Sequence, residues 1–167
     1  MNIGAKKVAY YGLLLAIAMI FSYVEVLIPI PFPVPGIKLG LANSIVLFLL
    51  YYSNLGSAFI IGFSRVILSF LLFGNLYSLL FSFSGFLISF FAMFLVKRMS
   101  VFSNYGVSIA GAAFHNFGQI TVAFFILKSG GIFYYLPILT FCAFITGFIN
   151  AFVLNKLYVR LNHDWLS

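Results

Sequence analysis

Six long apolar stretches, separated by short polar or helix-breaking segments, occupy almost the whole chain. Most are close to the roughly 20 residues that a helix needs to cross a bilayer. The pattern therefore predicts an all-α integral membrane protein with a bundle of six transmembrane helices. The chain forms a single membrane domain over residues 1–167, with spans at about 8–28, 37–52, 55–73, 76–96, 107–127 and 133–154.

The segment between the first two spans breaks the helical pattern, because four prolines alternate with other residues over 29–35. Proline lacks the backbone N–H and pushes its predecessor toward extended geometry, so this backbone leaves helical form. Irregular backbone is tolerated at the membrane surface or in a protein-lined cavity, but not against lipid. We predict a proline-rich extracellular cap or re-entrant hairpin that brings Lys38 and Asn43 to one end of the bundle.

Composition supports the membrane class: 64% of the residues are hydrophobic and 7% are charged, and the mean hydropathy is +1.18. The formal charge of +7 comes from basic residues at the predicted span ends, which indicates membrane orientation and no nucleic-acid partner. One side would carry six basic residues and the other two, so both termini are predicted to be cytoplasmic. The six are Lys6, Lys7, Lys97, Arg98, Lys156 and Arg160, and the two are Lys38 and Lys128.

Arg65 lies in the middle of the third span, where a charge costs at least roughly 2.5–3.5 kcal/mol and must face protein or water. Glu25, in the first span, is the one carboxylate that could pair with it, because Asp164 lies in the C-terminal tail. Two interpretations remain open. Glu25 and Arg65 form an ion pair that only stabilises the bundle, or Arg65 offers a bidentate fork to an anionic or carbonyl-bearing ligand, assisted by Lys38.

Further hydrogen-bonding side chains fall at a similar predicted depth. His115 and Gln119 lie one helical turn apart in the fifth span with Asn116 beside them, and Asn43 begins the second span. Several polar groups at one depth exceed what helix packing requires and favour a binding site. The predicted ligand-binding set is Lys38, Asn43, Arg65, His115, Asn116 and Gln119.

Small residues recur along the first span at Ala5, Ala9, Gly12 and Ala16, which places them on one stripe. Such a stripe lets another backbone approach closely. Glu25 lies on the opposite face, so if it points into the bundle the stripe points outward, toward lipid or a docking partner. Packing inside the bundle is the alternative.

Several kinds of site are absent from the sequence. No phosphate-binding loop is present, so a step driven by ATP requires another subunit. With a single aspartate, no aspartate-rich magnesium site can form. No nucleophile triad or metal-ligand spacing is evident either, so the chain is expected not to be an enzyme and to hold no cofactor or metal.

Three ordered motifs resemble the Gx transporter family, also labelled heptaprenyl diphosphate synthase component I. They are Pro33-x-Pro35-Gly36-Ile37-Lys38-Leu39-Gly40-Leu41-Ala42-Asn43, then Gly62-Phe63-x-Arg65 with Leu72-Phe73-Gly74, then His115-Asn116-x-Gly118-Gln119. That family is similar to the substrate-binding S components of energy-coupling factor (ECF) importers. The resemblance implies six helices, a pocket near the outer face, and docking of the first helix on a transmembrane coupling subunit driven by ATPases.

The leading hypothesis is a multi-pass subunit of the bacterial inner membrane that takes up a small anionic, quinone-like or isoprenoid-related compound. Its expected partners are the lipid bilayer, a coupling subunit, ATPases and the small-molecule ligand. One alternative is a non-catalytic membrane component of a prenyl diphosphate synthase. Another is a component of a quinone-linked electron-transfer system.

Overall fold

The computed structural model describes residues 3–27 and 38–160, and this part of the chain is helical with no strand. Six α-helices follow in order: α1 Ile3–Leu27, α2 Asn43–Tyr52, α3 Leu55–Phe73, α4 Leu76–Arg98, α5 Asn104–Leu127 and α6 Leu136–Arg160. A 3₁₀ turn, Gly130–Tyr135, leads into α6. The predicted proline cap lies outside the described residues, as do Asp164 and the rest of the C-terminal tail.

Local side-chain caps start two of the helices where the sequence predicts them. The Asn54 side chain accepts the Ser57 N–H at 2.7 Å before α3. Asn75 accepts the Ser78 N–H at 2.9 Å before α4 in the same way. An asparagine at this position satisfies one of the otherwise unpaired N–H groups of the first turn.

Five of the helical segments are long and apolar enough to cross a membrane, which confirms a multi-pass membrane protein. The second predicted span differs, because α2 begins at Asn43 rather than near Ile37 and has only ten residues. Ten helical residues extend about 15 Å, half of the hydrocarbon thickness. Residues 38–42 are non-helical, and Gly40 has a φ of +87°, which ends any regular helix there.

The short helix α2 lies in the centre of the bundle. Every residue from Asn43 to Leu50 is buried, and α2 packs against all five other helices. A helix that is hydrophobic on all sides requires such surroundings. Because α2 and residues 38–42 are enclosed by protein, an incomplete helix is tolerated at membrane depth.

Glycines allow the longest helices to pack closely. A side chain at Gly118 of α5 would meet the Ser84 carbonyl oxygen of α4 at 2.8 Å, and one at Gly147 of α6 would meet the Ile109 Cα of α5 at 2.5 Å. Both positions therefore need glycine for backbone-to-backbone contact. These contacts hold α4, α5 and α6 in a tight layer beside α2.

The helix ends meet at what we call the basal end of the bundle, defined by two hydrogen-bonded pairs. Tyr11 of α1 bonds Ser53 at 2.9 Å, and Asn104 of α5 bonds Asn155 of α6 at 2.6 Å. The α2–α3 and α4–α5 connections lie at this end. The opposite, apical end carries the α3–α4 connection and the 3₁₀ turn.

Candidate functional site

The candidate site lies around residues 38–42, above the N-terminus of α2. Asn43 is nine residues from the basal end of α2, and Arg65 is ten residues into α3. At 1.5 Å per residue both lie about 15 Å above the basal end. The site is thus close to half the depth of the bundle.

Gln119 of α5 binds the backbone of Lys38 in both directions. Its Oε1 accepts the Lys38 N–H at 2.7 Å, and its Nε2 donates to the Lys38 carbonyl at 2.7 Å. Asn116 supports Gln119 by a longer contact of 3.4 Å and donates to the Leu139 carbonyl at 2.8 Å. These two predicted site residues therefore bond to backbone groups. Buried backbone N–H and C=O groups inside a membrane protein need such partners, because lipid supplies none.

Two other side chains hold the next residues of the same segment. Glu25 Oε1 accepts the Leu41 N–H at 2.6 Å, and Asn150 Nδ2 donates to the Gly40 carbonyl at 3.0 Å. The irregular backbone is therefore fastened to α1, α5 and α6 by side chains. At this depth the membrane supplies no water, so these side chains provide the hydrogen bonds that the backbone groups need.

Arg65 is 1% exposed and makes one hydrogen bond, from Nη1 to the Ser22 hydroxyl at 3.3 Å. Its Nε and Nη2 have no partner among the described residues. These two groups form the side-on edge of the guanidinium, which binds the two oxygens of a carboxylate or phosphate in parallel. The unpaired edge is a pre-formed donor pair for an oxyanion.

Glu25 and Arg65 attract each other electrostatically but do not share a hydrogen bond. Glu25 Oε2 makes no hydrogen bond of ordinary geometry to a described residue, although Oε1 accepts from Leu41 and the Gly40 backbone also interacts with the carboxylate. Glu25 and Arg65 therefore do not form a hydrogen-bonded salt bridge with each other. Both retain hydrogen-bonding capacity facing the same region.

His115 and Asn43 also keep unpaired atoms. Neither imidazole nitrogen makes a hydrogen bond of ordinary geometry to a described residue, although the Gly85 backbone interacts with the ring. Asn43 Oδ1 has no partner among the described residues. Asn43 Nδ2 donates to Ser89 at 3.4 Å. The imidazole lies against Gly85, where a side chain would meet Nδ1 at 2.7 Å. Gly85 therefore provides the space that the ring occupies.

The charges of this cluster do not cancel, since Lys38 and Arg65 are opposed by Glu25 alone. Lys38 lies outside the long helices and is buried. Its ammonium is repelled by Arg65 and attracted by Glu25. The formal charges of the three side chains sum to one excess positive charge, which favours an anion.

The six predicted ligand-binding residues are all buried in this one region, but they divide into two groups. Asn116 and Gln119 are used on backbone groups, whereas Arg65, His115 and Asn43 keep unpaired atoms and Lys38 contributes charge. Sequence reasoning missed Ser22, Ser89 and Asn150. Ser22 could have been found, because it lies three residues before Glu25 on the same face of α1.

The small-residue stripe of α1 faces away from this cluster. Ala5, Ala9, Gly12 and Ala16 are exposed, and a side chain at Gly12 would meet nothing within 4 Å. The opposite face, with Tyr10, Leu14, Ala18, Ser22 and Glu25, is buried. The outward direction is as expected for a stripe opposite Glu25.

The described residues contain no group of three or more His, Cys, Asp or Glu side chains arranged to hold a metal ion. In a comparison with known families, residues 14–157 match the family described as heptaprenyl diphosphate synthase component I. The match covers most of the chain, including α2, α3, α4 and α5 in full. Comparison with curated proteins and with solved structures finds no match.

Proposed function

This chain belongs to the heptaprenyl diphosphate synthase component I family, and from that premise we propose that it is a non-catalytic, membrane-embedded binding subunit. Its ligand is a small compound with an oxyanion group, such as a carboxylate or phosphate. Partner subunits, a transmembrane coupling protein with ATPases, supply the energy for uptake. The protein resides in the bacterial inner membrane with both termini in the cytoplasm, because the basal end carries the six basic residues of the span ends.

The observation that carries this proposal is the side-on edge of Arg65, whose Nε and Nη2 have no partner among the described residues. A buried guanidinium with two unused donors is costly, since each unsatisfied group loses its water without a replacement. An oxyanion that accepts from Nε and Nη2 removes this cost. It also neutralises the excess positive charge that Lys38 and Arg65 leave beside Glu25.

The remaining unpaired atoms indicate what the rest of the ligand presents. Glu25 Oε2 and Asn43 Oδ1 accept hydrogen bonds, and the imidazole of His115 both donates and accepts. A ligand with a hydroxyl or N–H group near its oxyanion would pair with these atoms. A quinone or isoprenoid compound fits this site only if it carries a polar group of this kind.

Retention of small molecules through purification tests the proposal. Wild type, Arg65→Ala, Arg65→Lys and Arg160→Ala would be purified in mild detergent, and their bound compounds would be identified by mass spectrometry. We expect a defined anionic compound in wild type and in Arg160→Ala, and its loss in Arg65→Ala. Arg65→Lys keeps the charge but not the fork, so it should retain less than wild type.

The same set of variants also defines failure. Thermal unfolding identifies any variant that is merely misfolded. If folded Arg65→Ala retains the same compounds as wild type, the open edge of Arg65 is not a ligand site. Arg65 is then a structural residue, and the binding function is not supported.

A second candidate role is a non-catalytic membrane component of a prenyl diphosphate synthase. The family description favours it, because a first component implies a further component. This role predicts that the chain copurifies with a soluble subunit that carries the active site, and that synthase activity in membranes falls when the chain is deleted. Unchanged activity in the deletion would exclude it.

A further inference from the structure

A cavity lies at the basal end, far from Arg65. It has a volume of about 300 Å³ and is lined by Leu50, Ser53, Leu55, Phe94, Lys97 and Arg98. One side of the cavity is apolar and the other carries two cations. Nothing in the binding function argued above uses it.

Lys97 is held in position at this cavity. Its ammonium donates to the Leu50 carbonyl and lies 4.7 Å from the centre of the Tyr51 ring. An ammonium has three N–H donors, so further donors remain for another acceptor. Lys97 is thus a fixed cation with spare hydrogen-bonding capacity.

Arg98 follows at the end of α4 and is exposed. Among the described residues Glu25 is the one carboxylate, and it is bound to Leu41 at mid-depth. No described acidic side chain therefore balances Lys97 and Arg98. The cavity is a concentrated positive site with no acid from this part of the chain.

The cavity lies at the level expected for lipid headgroups. Tyr51, Tyr52 and Tyr158 cluster beside it, with the rings of Tyr52 and Tyr158 stacked at 4.5 Å. Tyrosines are enriched where the bilayer meets water. Farther from the basal end, toward the membrane interior, the same side of α4 exposes Leu95 and Phe91. These apolar side chains can contact an acyl chain.

We propose that this basal cavity binds an anionic phospholipid, with the phosphate on Lys97 and Arg98 and the acyl chains on Leu55, Phe94 and the exposed face of α4. Basic pockets between helices at a membrane surface recognise anionic headgroups. A lipid can place its acyl chains against the apolar side of the cavity, whereas a free phosphate has no apolar group to bind there. The site would couple the fold to the lipid composition of the membrane.

Native mass spectrometry of the delipidated full chain tests this site. Equal amounts of phosphatidylglycerol and phosphatidylcholine would be added, and the ratio of bound lipids would be measured. Wild type should prefer phosphatidylglycerol. The double variant Lys97→Gln/Arg98→Gln should reduce that preference about tenfold, whereas Lys156→Gln/Arg160→Gln, with the same charge change on α6, should stay within about twofold of wild type.

Two further variants keep the test decisive if the double variant unfolds. Arg98→Gln leaves the Lys97 bond to Leu50 intact and should give a smaller loss in the same direction. Leu55→Ala should weaken binding of both lipids without changing their ratio. Equal losses in the α4 and α6 double variants, or no lipid preference in wild type, would overturn the proposal. So would displacement of phosphatidylglycerol by glycerol phosphate at equal concentration, since that would indicate a free-phosphate site.

Discussion

Gln119 and Lys38 are joined by a pair of opposed hydrogen bonds, both 2.7 Å long, between the side-chain amide of one and the backbone of the other. The pairing resembles the bonds that a neighbouring strand would supply. It connects α5 to the only irregular backbone that the structure describes between α1 and α2. The stability of this connection sets the geometry around the candidate site.

Replacing Gln119 by leucine should destabilise the fold, because the N–H and C=O of Lys38 would both lose their partner in a buried place. At about 1–3 kcal/mol for each of the two unsatisfied groups, we expect a loss of about 2–6 kcal/mol. Thermal unfolding in detergent measures it. Thr121→Val, on the same helix, removes a hydroxyl that bonds its own helix at Phe117 and serves as the control. Equal stability of Gln119→Leu and the control would contradict the structural role of the amide.

Part of this arrangement could be predicted from the sequence and part could not. The limits of α3 were predicted correctly, because the Asn54 cap and the helix-ending Gly74 are local signals. The start of α2 was predicted about six residues too early, since residues 37–42 are apolar apart from Lys38 and nothing in them indicates bonding to other helices. The bonds from Gln119, Glu25 and Asn150 that hold this segment are tertiary contacts.

The candidate site shows the same division. That Arg65 and His115 are buried follows from their positions within apolar spans. Whether each amide binds backbone or ligand depends on the neighbouring helix. Asn116 is used on the carbonyl of Leu139 in α6, a partner that no spacing within α5 could reveal.

Glu25 and Arg65 should be energetically coupled although they share no hydrogen bond. Arg65→Met removes the larger of the two favourable charge interactions of Glu25 and leaves Lys38 as its remaining cation. We therefore expect a loss below the roughly 3–5 kcal/mol of a fully broken buried pair. The double variant Glu25→Gln/Arg65→Met should be less destabilised than the sum of the single variants. A double-mutant cycle of unfolding free energies measures the coupling. If the effects add within about 0.5 kcal/mol, the two charges do not stabilise each other.

The α1 stripe should dock on a coupling subunit if the chain acts in uptake. Leucines at Gly12 and Ala16 add bulk on the exposed face of α1, where a side chain at Gly12 would meet no described atom within 4 Å. The fold should therefore be unchanged while close approach of a second backbone is blocked. Copurification with a coexpressed coupling subunit and its ATPases should fall at least about tenfold, the size of effect that a blocked interface core produces. Thr140→Leu adds similar bulk on an exposed position of α6 and should leave the complex intact. Undiminished copurification of the Gly12→Leu/Ala16→Leu variant would place the partner surface elsewhere and leave the stripe in contact with lipid.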